Sequence, residues 1–253
     1  AASAPASSAW SPLPVPSTPA PGKNGAPPAR VLVVASEFAG VVPNGGIGTF
    51  YSALAESLAS AGHAVTLLYT QGRRVHHPTL TSWDHWVEQY RARGVALEAL
   101  PDGARLPGAT WHAGTAMAVL GWVLGKGRGA FHAVHAPEWQ GHAAMLASAA
   151  SSGLYPELGD TAVVVMVHGP LVWARQSNGE GVTSADDLEA DFLERLTVRG
   201  ARVLLSPSEY LLRWIRDEGW VPESSLDPAS THVQPYLVPR AALAAAAAAA
   251  AGA

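Results

Sequence analysis

Apolar positions along the middle of the chain alternate between two periods. Val31–Ala35 is a short continuous apolar run, bounded by a proline-rich stretch and a loop, and reads as a buried strand. Ile47–Ala61 follows as a helix, with Phe50, Leu54 and Leu58 at four-residue spacing on one face and Gly62 at its end. The same alternation continues to the far end. Ala64–Tyr69, Val95–Leu100, Phe131–His135, Thr161–Val167 and Val203–Leu205 are predicted as strands, and His232–Val238 as a last extended segment. Helices are predicted at Trp83–Arg93, Ala116–Leu124, Trp139–Ser151, Ala185–Gly200 and Glu209–Asp217. Ser184 is placed to cap the fourth of these, with Asp186, Asp187 and Glu189 in its first turn, where the helix dipole favours acids.

Strand–helix units with β-branched strands, apolar on both faces, indicate a parallel sheet covered on both sides. The expected fold class is α/β: a doubly wound, Rossmann-like parallel sheet with helices on both faces. Ligands in such sheets sit beyond the carboxyl ends of the strands. The chemistry is therefore expected in Ser36–Gly46, Ala136–Glu138 and His168–Arg175, the loops that follow three of the strands.

Both ends of the chain are biased. Residues 1–29 are rich in Ala, Pro and Ser and read as a leader or linker, because so many prolines block helix and sheet ladders. Residues 241–253 are almost all alanine and carry no amphipathic pattern. That tract is a low-complexity tail or unassigned chain written as alanine, and no function is drawn from it. Residues 30–240 are expected to form the domain.

Composition narrows the classes. Of 253 residues, 48% are apolar and 14% are charged, enough for a sizeable core. The net charge of -4 gives no support to a nucleic-acid partner, which would want a basic patch. Without cysteine there are no disulfides, iron–sulfur clusters or cysteine-ligated zinc, and a cytoplasmic setting is expected. No apolar run approaches the roughly 20 residues that span a bilayer, so no transmembrane segment is expected.

The loop Pro43-Asn-Gly-Gly-Ile-Gly-Thr49 carries the first chemical signal. Its glycines let backbone N–H groups approach a ligand, and the helix N-terminus behind them favours an anion such as a diphosphate. A plain glycine-rich turn is the bland alternative. A dinucleotide fingerprint fits poorly, because Tyr51 stands where G-x-G-x-x-G needs its third glycine and no acid ends the second strand. Neither a G-x-S-x-G elbow nor a P-loop occurs. His132 and His135 are an odd number of strand residues apart, so with His142 they make a poor metal set. His76-His77 reads as a solvated loop.

Taken in order, Pro43-Asn-Gly-Gly-Ile-Gly-Thr49, Leu54-Ala-Glu-Ser-Leu58, Gly62-His-Ala-Val-Thr66, Val134-His-Ala-Pro-Glu-Trp-Gln-Gly141, Val165-Met-Val-His-Gly-Pro170 and Leu205-Ser-Pro-Ser-Glu-Tyr210 resemble the N-terminal domain of family-4 glycosyltransferases, relatives of glycogen and sucrose synthases. Pro43-Asn44 stands where glycogen synthases place a lysine, which argues against glycogen synthesis.

The resemblance implies one half of a GT-B enzyme, whose partner half, a C-terminal donor-binding domain, lies outside this chain. It implies a nucleotide-diphosphate sugar as donor, a sugar, small-molecule or lipid acceptor, retention at the reacting carbon, and no cofactor or required metal. It assigns Gly45, Gly46 and Gly48 to the donor diphosphate. His168 falls near the reacting carbon, as a catalytic residue beside Glu138, and Glu138 and His135 line the acceptor side. Trp139 and Trp173 are candidates for stacking on sugar faces, although packing is the commoner use of tryptophan. For Glu138 the bland alternative is a first-turn acid on the helix from Trp139; for His168 it is a residue capping the sheet. As half of an active site, this chain alone is expected to be inactive; the second functional reading is a non-catalytic binding or regulatory domain of this fold. A second Rossmann-like unit downstream would separate the two.

Overall fold

The computed structural model describes residues 28–73, 81–222 and 227–237. Most of the proline-rich leader, His76-His77 and the alanine tract lie outside the described residues. Seven parallel strands form one sheet: β1 (Arg30–Ala35), β2 (Ala64–Tyr69), β3 (Val95–Ala99), β4 (Ala133–Pro137), β5 (Ala162–Met166), β6 (Val203–Ser206) and β7 (Thr231–Val233). Their order is β3-β2-β1-β4-β5-β6-β7. The chain winds outward from β1 to β3, then returns to lay β4 on the other side of β1. The switch point, where such sheets open a crevice, is therefore between β1 and β4.

Side-chain alternation splits the core in two. Leu32, Val34, Val134, Ala136, Val163 and Val165 point to one face. There they meet α3 (Trp111–Gly125), α4 (Ala144–Ser151), α6 (Ala185–Arg199) and α7 (Glu209–Asp217). Val31, Val33, Ala35, Val65 and Leu67 point to the other, against α1 (Gly46–Ser60) and α2 (Trp83–Ala92). A short helix, α5 (Leu171–Ser177), follows the β5 loop. The doubly wound α/β expectation holds. Among the described residues, no helix is long and apolar enough to cross a membrane.

Three elements differ from the sequence pattern. The helix expected over Trp139–Ser151 is broken. Trp139–Gly141 is a single 3-10 turn, and α4 begins only at Ala144. Gln140 takes the left-handed conformation (φ 61°, ψ 4°) and Gly141 follows at φ 64°. A Cβ on Gly141 would stand 2.2 Å from the Cβ of Leu193 on α6, so the chain turns here to let α6 in. Second, α3 starts at Trp111 rather than Ala116. Arg105 lies 3.4 Å over the Trp111 ring and donates to Thr115, holding a first turn that apolar periodicity does not mark. Third, α5 occupies part of a stretch read as loop.

A Gly141→Ala substitution meets both the left-handed backbone and the Leu193 side chain. It is expected to cost about 2 kcal/mol or more in urea unfolding. A loss below about 0.5 kcal/mol would contradict the packing described.

Candidate functional site

Because β1, β4 and β5 are neighbours, the three loops singled out in the sequence emerge side by side. The first leads into α1. Three Ser-capped helices contrast with it: α2, α6 and α7 open on Ser82, Ser184 and Ser208, each accepting from an amide of the first turn, with an acid nearby. Helix α1 opens on Gly45 with no side-chain cap and no acid in its first turn. Its first-turn amides are left without an intrahelical acceptor. Gly46 is exposed with open space around it. Gly48 is buried against Asn44 and Glu37, where a Cβ would come within 2.6 Å of Asn44. One amide is already taken: Gly45 N–H donates to Glu37 Oε2 at 2.8 Å. An acid in the glycine loop was not foreseen.

One turn further along α1, Phe50 and Tyr51 pack against the two histidines. The His168 ring is edge-on to Phe50 at 5.2 Å and tilted against Tyr51 at 5.4 Å. His135, within β4 and on the α1 face, lies 5.4 Å from Tyr51. Tyr236, beyond β7, stacks on His168 at 5.3 Å and 11°, and its hydroxyl donates to the His168 carbonyl. Both ring nitrogens of His168, His135 Nδ1 and the Tyr51 hydroxyl are buried without a hydrogen-bond partner among the described residues. Burial, then the neighbouring His135, pulls His168 down to about 3, and burial pulls His135 to about 4. At neutral pH both are uncharged, each with one donor and one acceptor nitrogen to offer. Tyr51 is held well above its usual range by burial, then by Glu138 and Tyr236.

Glu138 departs from the acceptor-lining position expected for it. It is fully buried, and its carboxylate faces the β5 loop rather than a cleft. The β5 ladder ends at Val167, whose N–H reaches Leu205. The next two amides would be orphaned there. Glu138 takes both: His168 N–H donates to its two oxygens at 2.9 and 2.8 Å, and Gly169 N–H to Oε1 at 2.7 Å. Burial raises Glu138 to about 7, against the pull of these amides. It acts on His168 through the backbone. The reading of Glu138 as a first-turn helix acid also fails, because no regular helix starts at Trp139.

A second buried carboxylate, absent from the sequence-based candidates, completes the arrangement. Glu194 on α6 is fully buried and spans both loops. Its Oε1 accepts from Gln140 N–H and its Oε2 from Leu171 N–H, each at 2.9 Å. It therefore pins the left-handed residue of the β4 loop and the start of α5 together. Burial, then the charge of Glu138, raises Glu194 well above the usual carboxylate range.

The remaining candidates separate. Trp173 packs beside Gly169, with its ring 3.0 Å from where a Cβ there would stand. Trp139 lines a different cleft, with His112 and Gln140. His132 is held by the Arg30 amide and guanidinium, and His142 by Thr70. Among the described residues, no group of three or more His, Asp or Glu could hold a metal ion.

A sequence profile described as "Glycosyl transferase 4-like domain" matches residues 45–229. The chain belongs to that family. The match runs from the glycine loop to the turn before β7 and so takes in every site residue above except Glu37 and Tyr236. Among solved structures, the chain is similar to the catalytic domain of starch synthase IV from Arabidopsis thaliana, bound to ADP and acarbose. That likeness has a TM-score of 0.54 at 14% identity, over 83% of this chain and 52% of that one. It is also similar to sucrose-phosphate synthase from Thermosynechococcus elongatus, with a TM-score of 0.54 at 15% identity, over 82% and 48%. The fold is that of these GT-B enzymes, and this chain spans about half their length. Comparison with curated proteins gave no significant match.

The buried groups set a pH signature. His135 and His168, and His142 at about 3, bind fewer protons folded than unfolded below about 6.5, so they lower stability on acidification. Glu138 and Glu194 have the opposite sign: both are shifted toward the protonated form in the folded state, so stability falls as pH rises above the usual carboxylate range, through about 7 for Glu138. Stability is expected to peak near pH 6.5 in urea titrations, and Glu138→Gln to flatten the limb above it. A curve still rising from pH 6.5 to 8 would contradict this.

Proposed function

We propose that this chain supplies the N-terminal half of a glycosyltransferase active site. The reaction moves a sugar from a nucleoside-diphosphate sugar to an acceptor hydroxyl, with retention and without a required metal. The bond between the anomeric carbon and the diphosphate breaks, and its electron pair leaves with the diphosphate. The acceptor oxygen forms the new bond and its proton departs with the leaving group or to solvent. The donor is gripped by a C-terminal domain outside this chain.

The carrying observation is the uncapped N-terminus of α1, one turn from a buried, uncharged and unpartnered imidazole. Leaving diphosphate gains negative charge as the bond breaks. Preorganised amides at Gly46 and Gly48 stabilise that charge more in the transition state than in the ground state. His168 is suited to hydrogen-bond the transferring sugar or the diphosphate, since neither of its nitrogens is otherwise used. Glu37 holds the Gly45 amide until the diphosphate arrives. Retention, metal independence and the nucleotide donor rest on the family resemblance. The starch synthase with which the fold compares was solved with ADP, a nucleoside diphosphate.

The same geometry gives the non-catalytic reading one observation of its own: Glu37 and Tyr236 already cover the Gly45 amide and one face of His168. Turnover of the full-length protein decides. In that protein, His168→Ala is expected to lower kcat on the order of 10²-fold with the fold retained. Glu37→Gln keeps an acceptor for Gly45 and removes a charge. It is expected to lower the donor KM about fivefold, from roughly 1 kcal/mol of relieved repulsion. Wild-type kcat in the first variant removes His168 from the mechanism, and a raised KM in the second removes the glycine loop from the diphosphate site.

A further inference from the structure

A second polar cleft lies on the other side of the loops that Glu138 and Glu194 hold together. It measures about 150 Å³ and is lined by His112, Trp139, Gln140, Asp186, Asp187 and Glu194, among others. These come from the N-terminal ends of α3 and α6 and from the β4 turn, so the cleft opens at the same rim of the sheet as His168.

Most polar groups in its wall are already committed. Both Glu194 oxygens accept loop amides. Asp187 accepts from Arg175 at 2.8 Å and from the Thr183 amide, and its own N–H donates to Ser184 Oγ. Two groups are not. His112 is 8% exposed, and its Nδ1 is buried with no hydrogen-bond partner among the described residues. A buried ring nitrogen normally has one. Asp186, exposed in the first turn of α6, forms no ion pair among the described residues. Trp139 adds an aromatic surface that is half-buried. No lysine or arginine lines the cleft among the described residues.

We propose that this cleft is a subsite for one uncharged, hydroxyl-bearing ring of the acceptor, and that it rejects anionic acceptors. The inference rests on the transferase reading for the word acceptor, but not for binding itself. A ring with C–H faces packs on Trp139. Its hydroxyls donate to the Asp186 carboxylate and complete His112 Nδ1. Free carboxylate accepts only, so hydroxyl donors suit it and phosphates do not. Among the described residues, Asp186 is the unpaired charge of this wall, Asp187 being paired with Arg175, and no cation lines it, so a phosphate ester there faces like charge without a counter-charge. The volume is below the roughly 300–1,000 Å³ of drug-sized pockets, which fits a single ring or the end of a longer molecule.

The test is saturation-transfer NMR on the full-length protein with methyl α-glucoside, maltose and glucose 6-phosphate as probes. Saturation is expected on ring protons of the neutral sugars and at least fivefold weaker on the phosphate ester. Asp186→Asn, at an exposed position, is expected to weaken the neutral probes severalfold and to narrow that discrimination. Trp139→Ala is expected to abolish the signal. Absence of signal from both neutral sugars overturns the proposal, as does equal or stronger signal from the phosphate ester or an unaltered signal in Asp186→Asn. Hydrolysis of nucleotide sugar, followed in the same samples, reads the transferase hypothesis separately. Sugar binding without donor turnover fails that reading and keeps this one; turnover without sugar binding does the reverse.

Discussion

The arrangement depends on two buried carboxylates that accept backbone amides where a parallel sheet runs out of partners. A strand that ends inside a domain leaves N–H groups with no ladder to join, and each orphan is costly. Here four such groups, on His168, Gly169, Gln140 and Leu171, go to Glu138 and Glu194. Burying two acids is unfavourable in itself, and the shifts of both toward the protonated form express that. The return is geometric. Two loops from adjacent strands are locked to each other and to α6, and the His168 ring is carried on one of them.

That lock separates two clusters of side chains at the carboxyl rim of the sheet. On the α1 side, an uncapped helix end, Phe50, Tyr51 and two uncharged imidazoles form a wall with several unpaired polar atoms. On the α3 and α6 side, His112, Trp139 and Asp186 line an acidic cleft. The same loops lie between the clusters, so a change in their conformation would be felt in both. This gives a physical reason for Gln140 to be kept in a sparsely populated conformation, since strain of that kind persists only where surrounding bonds hold it.

Period and turn chemistry made the seven strands and most of the helices legible in the sequence. The glycine loop and His168 lie in loops that follow strands, where the sequence pattern puts them, whereas His135 lies within β4. What escaped depends on contacts between distant residues. Glu194 looks like any acid on an amphipathic helix, and nothing local says that it reaches Gln140, 54 residues away. The break at Gln140–Gly141 is invisible to helix propensity because Leu193 causes it. Glu138 carried a local explanation, the first turn of a helix, that vanished with the helix. Glu37 lay inside the loop expected to carry the chemistry, but its bond to Gly45 depends on how that loop folds back. Tyr236 lies 68 residues from the histidine whose carbonyl it meets.

Amide hydrogen exchange tests the carboxylate lock most directly. The account predicts that the N–H groups of His168, Gly169, Gln140 and Leu171 exchange as slowly as those in β4 and β5, opening only with the sheet itself. Exchange at those four positions as fast as in exposed turns such as Gly127–Gly129 would contradict it.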